Sequence, residues 1–110
     1  MPAGASRMAE RRPSISTHVL DTDRGLPARG VRVELYRQGR LVSAQQTNDD
    51  GRVADLVQGA LEAGVYRLVF HVPSPFFSKL EVEFNVADAG RHYHIPLIVA
   101  PYLCATYRGS

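Results

Sequence analysis

A chain of 110 residues can bury one hydrophobic core and is too short for two independent domains. At 45% hydrophobic and 22% charged it is neither disordered nor fibrous, and the single Cys104, with no Cys/His spacing around it, excludes an internal disulfide and a structural metal site. Thirteen Lys+Arg against eleven Asp+Glu leave a formal charge of +2 from arginines spread along the chain, a poor footprint for nucleic acid, and no stretch approaches the roughly 18 uninterrupted apolar residues of a membrane span.

Residues 1–13, rich in Ala, Gly, Ser and Arg, have no periodicity and read as a flexible N-terminal tail without the apolar run of a secretory signal, so a cytoplasmic protein is expected. The domain is placed at 14–110. Ile15 to Leu20 forms the first strand, and the Asp21–Pro27 stretch has the Asp/Gly/Pro chemistry of a turn. Val31, Val33 and Leu35 then alternate with Arg32, Glu34 and Tyr36 as a half-buried strand, Leu41 to Thr47 makes a third, and Asn48-Asp49-Asp50-Gly51 closes it before a very short strand at Gly51–Val53. Leu56, Val57, Ala60 and Leu61 have a helical spacing, but Gly59 and the short length favour a loop.

Val65 to Val72 is the next strand, with Tyr66, Leu68 and Phe70 on one face, ended by Pro73 and Pro75. Leu80, Val82, Phe84 and Val86 alternate with Glu81, Glu83 and Asn85, the cleanest two-residue period in the chain. Arg91 to Ala100 is read as one strand in which Pro96 marks a bulge or an edge, and Tyr102 to Arg108 completes about eight strands. Many short strands with scarcely any helix indicate an antiparallel β-sandwich.

Four segments together resemble one family: Ser16-Thr17-His18-Val19-Leu20-Asp21, Thr47-Asn48-Asp49-Asp50-Gly51-Arg52, His92-Tyr93-His94-Ile95-Pro96-Leu97 and the ending Tyr107-Arg108-Gly109-Ser110. They are similar to the signature segments of the 5-hydroxyisourate hydrolases, the enzymatic branch of the transthyretin-like family, and the resemblance runs from Ser14 to Ser110. It implies a sandwich of two four-stranded sheets and a homotetramer, a dimer of dimers, with pockets built across subunit interfaces. It further implies catalytic roles for His18, Arg52 and His94, substrate contacts from Tyr107, Arg108 and Ser110, a small-molecule substrate, and neither metal nor cofactor. Two features depart from the family: only residues 71–79 bridge the strands ending near Phe70 and starting near Leu80, where relatives have a longer connection with a short helix, and Leu103-Cys104-Ala105 replaces the usual Gly-Tyr-Ser.

The implied reaction opens a cyclic amide and needs an activated water and a stabilised oxyanion. A neutral histidine, titrating near pH 6.5, can take a proton from water and return it to the leaving nitrogen. Either His18 or His94 fits that role, with the other orienting water or substrate, while Arg52 offers a planar fork to a developing negative charge. Taken singly, each residue has a plainer reading. His18 shares a face with Ser16 and Leu20 as a solvated strand histidine would; His92 and His94 invite a metal pair but lack an evident third ligand; Arg52 follows a glycine turn where most arginines are simply solvated; Arg108 suits an interface ion pair equally; and Cys104 is a small packing residue. A non-catalytic carrier of a small ligand is the alternative function, and a purely structural sandwich the third.

Overall fold

The computed structural model describes residues 12–110, so all of the tail assignment but Arg12 and Pro13 lies outside the described residues. The described chain consists of strands and loops with no helix. Its strands are β1 (Ile15–Asp21), β2 (Leu26–Pro27), β3 (Arg32–Arg37), β4 (Arg40–Gln46), β5 (Arg52–Val53), β6 (Gly64–Phe70), β7 (Leu80–Val86), β8 (Tyr93–His94), β9 (Leu97–Ala100) and β10 (Leu103–Thr106). They form two sheets. One has the order β4-β3-β6-β7 and is antiparallel throughout; the other has the order β10-β9-β1-β2, with the short β5 and β8 added to β1.

The expected all-β sandwich is present, with two corrections to its strand pattern. First, the second sheet is mixed: β1 runs parallel to β8 and β9. Between β1 and these partners the chain passes through β2, β5 and all four strands of the opposite sheet, so no hairpin dictates the direction in which β8 and β9 meet β1. Second, the single strand expected over 91–100 is split into β8 and β9 at Pro96, which has no N–H to give to the ladder with β1.

The core lies between the sheets. Val33 and Leu35 from β3, Tyr66, Leu68 and Phe70 from β6 and Val86 from β7 meet Ile15 and Val19 from β1 and Leu97 and Val99 from β9. Each fully buried aliphatic or phenyl side chain contributes roughly 1.5–3 kcal/mol. The loop after β5 adds Leu56, Val57 and Leu61 to this core. Residues 71–79 contain no helix and are tied down by Ser74, whose hydroxyl donates to the Pro101 carbonyl at 2.8 Å and accepts from the Phe76 and Phe77 amides.

Strand β1 has neighbours on both edges. The carbonyls of Ile15 and Val19 point to the edge occupied by the β5 loop and β2, where they accept from Leu56 and Ala28, while those of Ser14 and Ser16 accept from Tyr93 and Ile95 on the other side. Odd-numbered side chains, Ile15, Thr17 and Val19, enter the core. Thr17 meets the cost of burial by donating its hydroxyl to the Ile95 carbonyl at 2.6 Å. Alternation leaves Ser16 and His18 on the outer face, flanked by neighbours on both edges.

Candidate active site

Directly opposed residues on paired strands project to the same side of a sheet. His18 pairs with Arg52 across β1 and β5, and Ser16 pairs with His94 across β1 and β8. Three strands distant in sequence therefore bring His18, Arg52 and His94 onto one outer face. The Asn48–Gly51 turn fixes the approach of Arg52: the Asn48 side-chain oxygen accepts from the Asp50 and Arg52 amides, and Gly51 at φ +73° donates to the Asn48 carbonyl at 2.9 Å. A Cβ on Gly51 would lie 2.5 Å from the Val19 carbonyl oxygen, so only glycine lets the turn sit this close to β1.

An open cleft of about 430 Å3 lies beside this face, lined by Ser16, Arg52, Asp55, His92 and His94 among others, a size suited to a small molecule. His18 stands at its side, paired with Arg52, without contributing to the lining. Arg52 enters no ion pair among the described residues, which leaves its guanidinium fork to the cleft.

Both imidazoles are held below their ordinary value of 6.5. For His94 burial is the main cause, followed by the positive charge of Arg52 and then those of His18 and His92. For His18 burial again leads and Arg52 follows, opposed by hydrogen bonding to the Asp50 backbone and by the Asp50 carboxylate. Near neutral pH both rings are accordingly uncharged, each with a lone pair, beside one permanent cation.

Behind His94 lies a set of contacts to which the sequence reading gave no role. The Ser16 hydroxyl is 2.8 Å from His92 Nε2 and 2.8 Å from His94 Nδ1, and the Ser14 amide donates to His92 Nδ1 at 3.2 Å. One nitrogen of each histidine, His92 Nε2 and His94 Nδ1, thus shares the Ser16 hydroxyl. Ser14 also donates its hydroxyl to Asp55. Burial works to raise the Asp55 carboxyl, but the hydrogen bonds from Ser14 and the Gln58 amide and the charge of Arg12 prevail and hold it below the usual range. The sequence signals for Ser16 were alternation along β1, which places it on the face of His18, and its position at the head of the first family-like segment.

The chain's end is docked onto the site by its backbone. Gly109 pairs with His94 and donates its amide to the His94 carbonyl at 2.7 Å, and Ser110 after it is exposed. A Cβ at Gly109 would fall 2.7 Å from His94 Cδ2. The imidazole is thereby held on one edge by Ser16 and on the other by Gly109, another positioning residue the sequence reading passed over. Tyr107 and Arg108 point elsewhere within the single chain: they line a second groove with Val82, Phe84 and Tyr93, and the Arg108 guanidinium lies 4.5 Å from the centre of the Tyr93 ring.

Comparison with known proteins identifies the family and the fold. The model of the HIUase/Transthyretin family matches residues 15–109. A protein of Rhizobium meliloti (strain 1021) named 5-hydroxyisourate hydrolase 2 is 44% identical over 114 aligned positions, covering 87% of this chain and 95% of the relative. Among solved structures, the 5-hydroxyisourate hydrolase of Klebsiella pneumoniae superposes with a TM-score of 0.81 at 34% identity, covering 89% of this chain and 94% of that one. Sea bream transthyretin, solved in complex with thyroxine, superposes with a TM-score of 0.75 at 25% identity over 86% of this chain and 93% of that one.

Proposed function

The chain belongs to the HIUase/transthyretin family, and from that premise we propose that it hydrolyses the cyclic amide of 5-hydroxyisourate to 2-oxo-4-hydroxy-4-carboxy-5-ureidoimidazoline, a step of urate catabolism. The observation that carries the reading is the meeting of two neutral imidazoles and an unpaired guanidinium on one outer face. One histidine of the pair accepts a proton from water as its oxygen bonds the amide carbon. Arg52 offers its fork to the oxyanion that forms, and the proton then passes to the ring nitrogen as the carbon–nitrogen bond breaks. His18, Arg52 and His94 are the catalytic residues in this proposal, with no metal and no cofactor.

Tyr107, Arg108 and Ser110 are assigned to substrate binding. The second groove turns Tyr107 and Arg108 away from their own chain's cleft, which supports a site completed between copies. We take the assembly to be a homotetramer, a dimer of dimers. The exposed Tyr102 and Leu103 on the β9–β10 hairpin, with Phe76 beside Tyr102, are apolar surface of the kind that subunit contacts cover. A cytoplasmic location remains part of the proposal; among the described residues no helix is long and apolar enough to cross a membrane.

Purified protein is expected to accelerate the decay of 5-hydroxyisourate generated freshly from urate, followed by ultraviolet absorbance. His94→Asn and deletion of Ser110 should each remove most of the gain over spontaneous decay, and unchanged rates in both variants refute the site. A chelator should leave the rate as it was; loss of activity would restore the metal reading of His92 and His94. The second reading, a non-catalytic carrier, is favoured by the likeness to the thyroxine-bound transthyretin. It predicts saturable ligand binding with no effect on substrate decay.

A further inference from the structure

We propose that Ser16 and His92 form a directed chain of hydrogen bonds that fixes which nitrogen of His94 carries its proton, and so divides the work between the two imidazoles. The catalytic consequence rests on the hydrolase reading; the proton assignment itself does not.

The direction follows from the one donor in the chain that cannot reverse. The Ser14 backbone N–H donates to His92 Nδ1 at 3.2 Å, so that nitrogen must hold a lone pair. A neutral His92 then carries its hydrogen on Nε2, which lies 2.8 Å from Ser16 Oγ and donates to it. Ser16 has a single hydrogen, and its other partner is His94 Nδ1 at 2.8 Å. The hydroxyl therefore donates to His94, Nδ1 is the acceptor, and the neutral His94 ring is protonated at Nε2.

Protonating His94 at Nδ1 would confront Ser16 with two N–H donors and force its own hydrogen away from the nitrogen it now serves. The network thus resists an imidazolium at His94, in the same sense as burial and the neighbouring positive charges. A flip of the ring plane would put Cδ2 where Nδ1 now stands and forfeit the 2.8 Å hydrogen bond from Ser16. Nε2 makes no hydrogen bond among the described residues and belongs to a ring that lines the cleft.

His94 consequently shows the cleft an N–H donor and keeps its lone pair for Ser16. It is suited to hold the developing oxyanion or the leaving nitrogen, as a neutral imidazole can. The lone pair able to deprotonate water is left to His18. Ser16 and His92 act through His94 and are positioning residues.

The test is direct observation of the ring nitrogens in protein labelled with 15N at histidine, by long-range 1H–15N correlation near neutral pH. In the wild type, His94 Nδ1 should have the shift of an unprotonated nitrogen and Nε2 that of a protonated one. Ser16→Ala should average the two shifts and move the His94 titration midpoint upward, and His92→Leu should do so in part. Ser16→Thr keeps the hydroxyl, and His92→Gln can still accept from the Ser14 amide and donate to Ser16, so both should retain the wild-type pattern. In parallel, kcat/KM should fall about 10- to 100-fold in Ser16→Ala and stay within about threefold of wild type in Ser16→Thr, since a misplaced proton forfeits part of the roughly 10²–10⁴-fold that positioned acid–base groups supply.

A wild-type His94 protonated at Nδ1, or shifts unmoved by Ser16→Ala, overturns the proposal. The predicted tautomer in a protein that leaves 5-hydroxyisourate untouched would sustain the relay and sink the hydrolase reading instead.

Discussion

Adding one methyl group at Gly109 tests whether the chain's end positions His94. A Cβ there would meet His94 Cδ2 at 2.7 Å, the His94 carbonyl oxygen at 3.3 Å and Pro96 Cγ at 3.3 Å. Ordinary contact begins near 3.4 Å, so the ring and the terminal backbone must separate by about 0.7 Å. The imidazole cannot give that distance freely, because its far edge is bonded to Ser16 at 2.8 Å and the same movement would compress or break that bond. Two outcomes are open to Gly109→Ala: the ring tilts, or residues 109–110 lift off and lose the 2.7 Å bond from Gly109 to the His94 carbonyl.

Either response takes a proposed active-site group out of place by something approaching an ångström, a displacement that costs on the order of 100-fold in rate, equivalent to about 2.7 kcal/mol of transition-state stabilisation. The global stability cost should stay near the roughly 1 kcal/mol of one hydrogen bond, since the site of the change is terminal. The assay is kcat/KM on freshly generated 5-hydroxyisourate alongside a thermal melt. If the end lifts off, Gly109→Ala combined with deletion of Ser110 should be no worse than the deletion alone; if the ring tilts, the effects should compound. A Gly109→Ala variant within threefold of wild type, with its melt unchanged, would refute the packing argument.

Three further perturbations have signs set by the structure. Because both imidazoles are lowered from 6.5, kcat/KM should hold level near neutrality and decline only below pH 6.5. Below that pH the unfolded chain binds more protons at His18 and His94 than the folded one, so stability present above 6.5 should be lost as pH falls through 6.5 and the lowered folded values; denaturant midpoints that rise on acidification would contradict this. Arg52→Gln removes the charge that depresses both rings, so the acid limb of the pH profile should move upward while kcat/KM drops roughly 10²–10³-fold, the cost of losing one oxyanion donor; a loss with no movement of the limb would separate Arg52 from the histidines. Gly51→Ala adds a residue at φ +73° whose Cβ meets the Val19 carbonyl at 2.5 Å, and should cost at least about 2 kcal/mol, read as a melting temperature lower by roughly 10 °C at fixed protein concentration.

What the sequence made legible was set by side-chain alternation. The two-residue period of Leu80–Val86 and the buried trio Tyr66, Leu68 and Phe70 appear in β7 and β6 as read, because an inward apolar row is what a sandwich face requires. Strand direction is not encoded in that period, which is why the parallel pairing of β1 with β8 and β9 was missed. The two-residue strand Leu26–Pro27 was lost inside a turn composition, although Leu20 pairs with Pro27. The β3–β4 hairpin turns on Gln38 and Gly39, both at positive φ, and glutamine gives no warning of that conformation. The loop at 55–63 was read as such, yet its Leu56, Val57 and Leu61 belong to the core, a contribution invisible without the partner surface.

The division between faces of β1 also offers an account of how one fold can hold both 5-hydroxyisourate hydrolases and a thyroxine-bound transthyretin among its relatives. Ile15, Thr17 and Val19 supply the sandwich, and their burial constrains them to fit the opposite sheet. Ser16 and His18 contribute nothing to that core, and the neighbours they meet, Arg52 and His94, come from two-residue strands that are likewise dispensable to it on their outer side. Exchange of the outward residues can therefore remove the imidazoles and the guanidinium without disturbing the packing that determines the fold. Fold likeness at a TM-score of 0.75 to a thyroxine-bound transthyretin is for that reason silent about catalysis. If the proposed site is correct, the decision between hydrolase and carrier falls on the even-numbered side of β1, where alternation frees the sequence to change chemistry at little cost in stability.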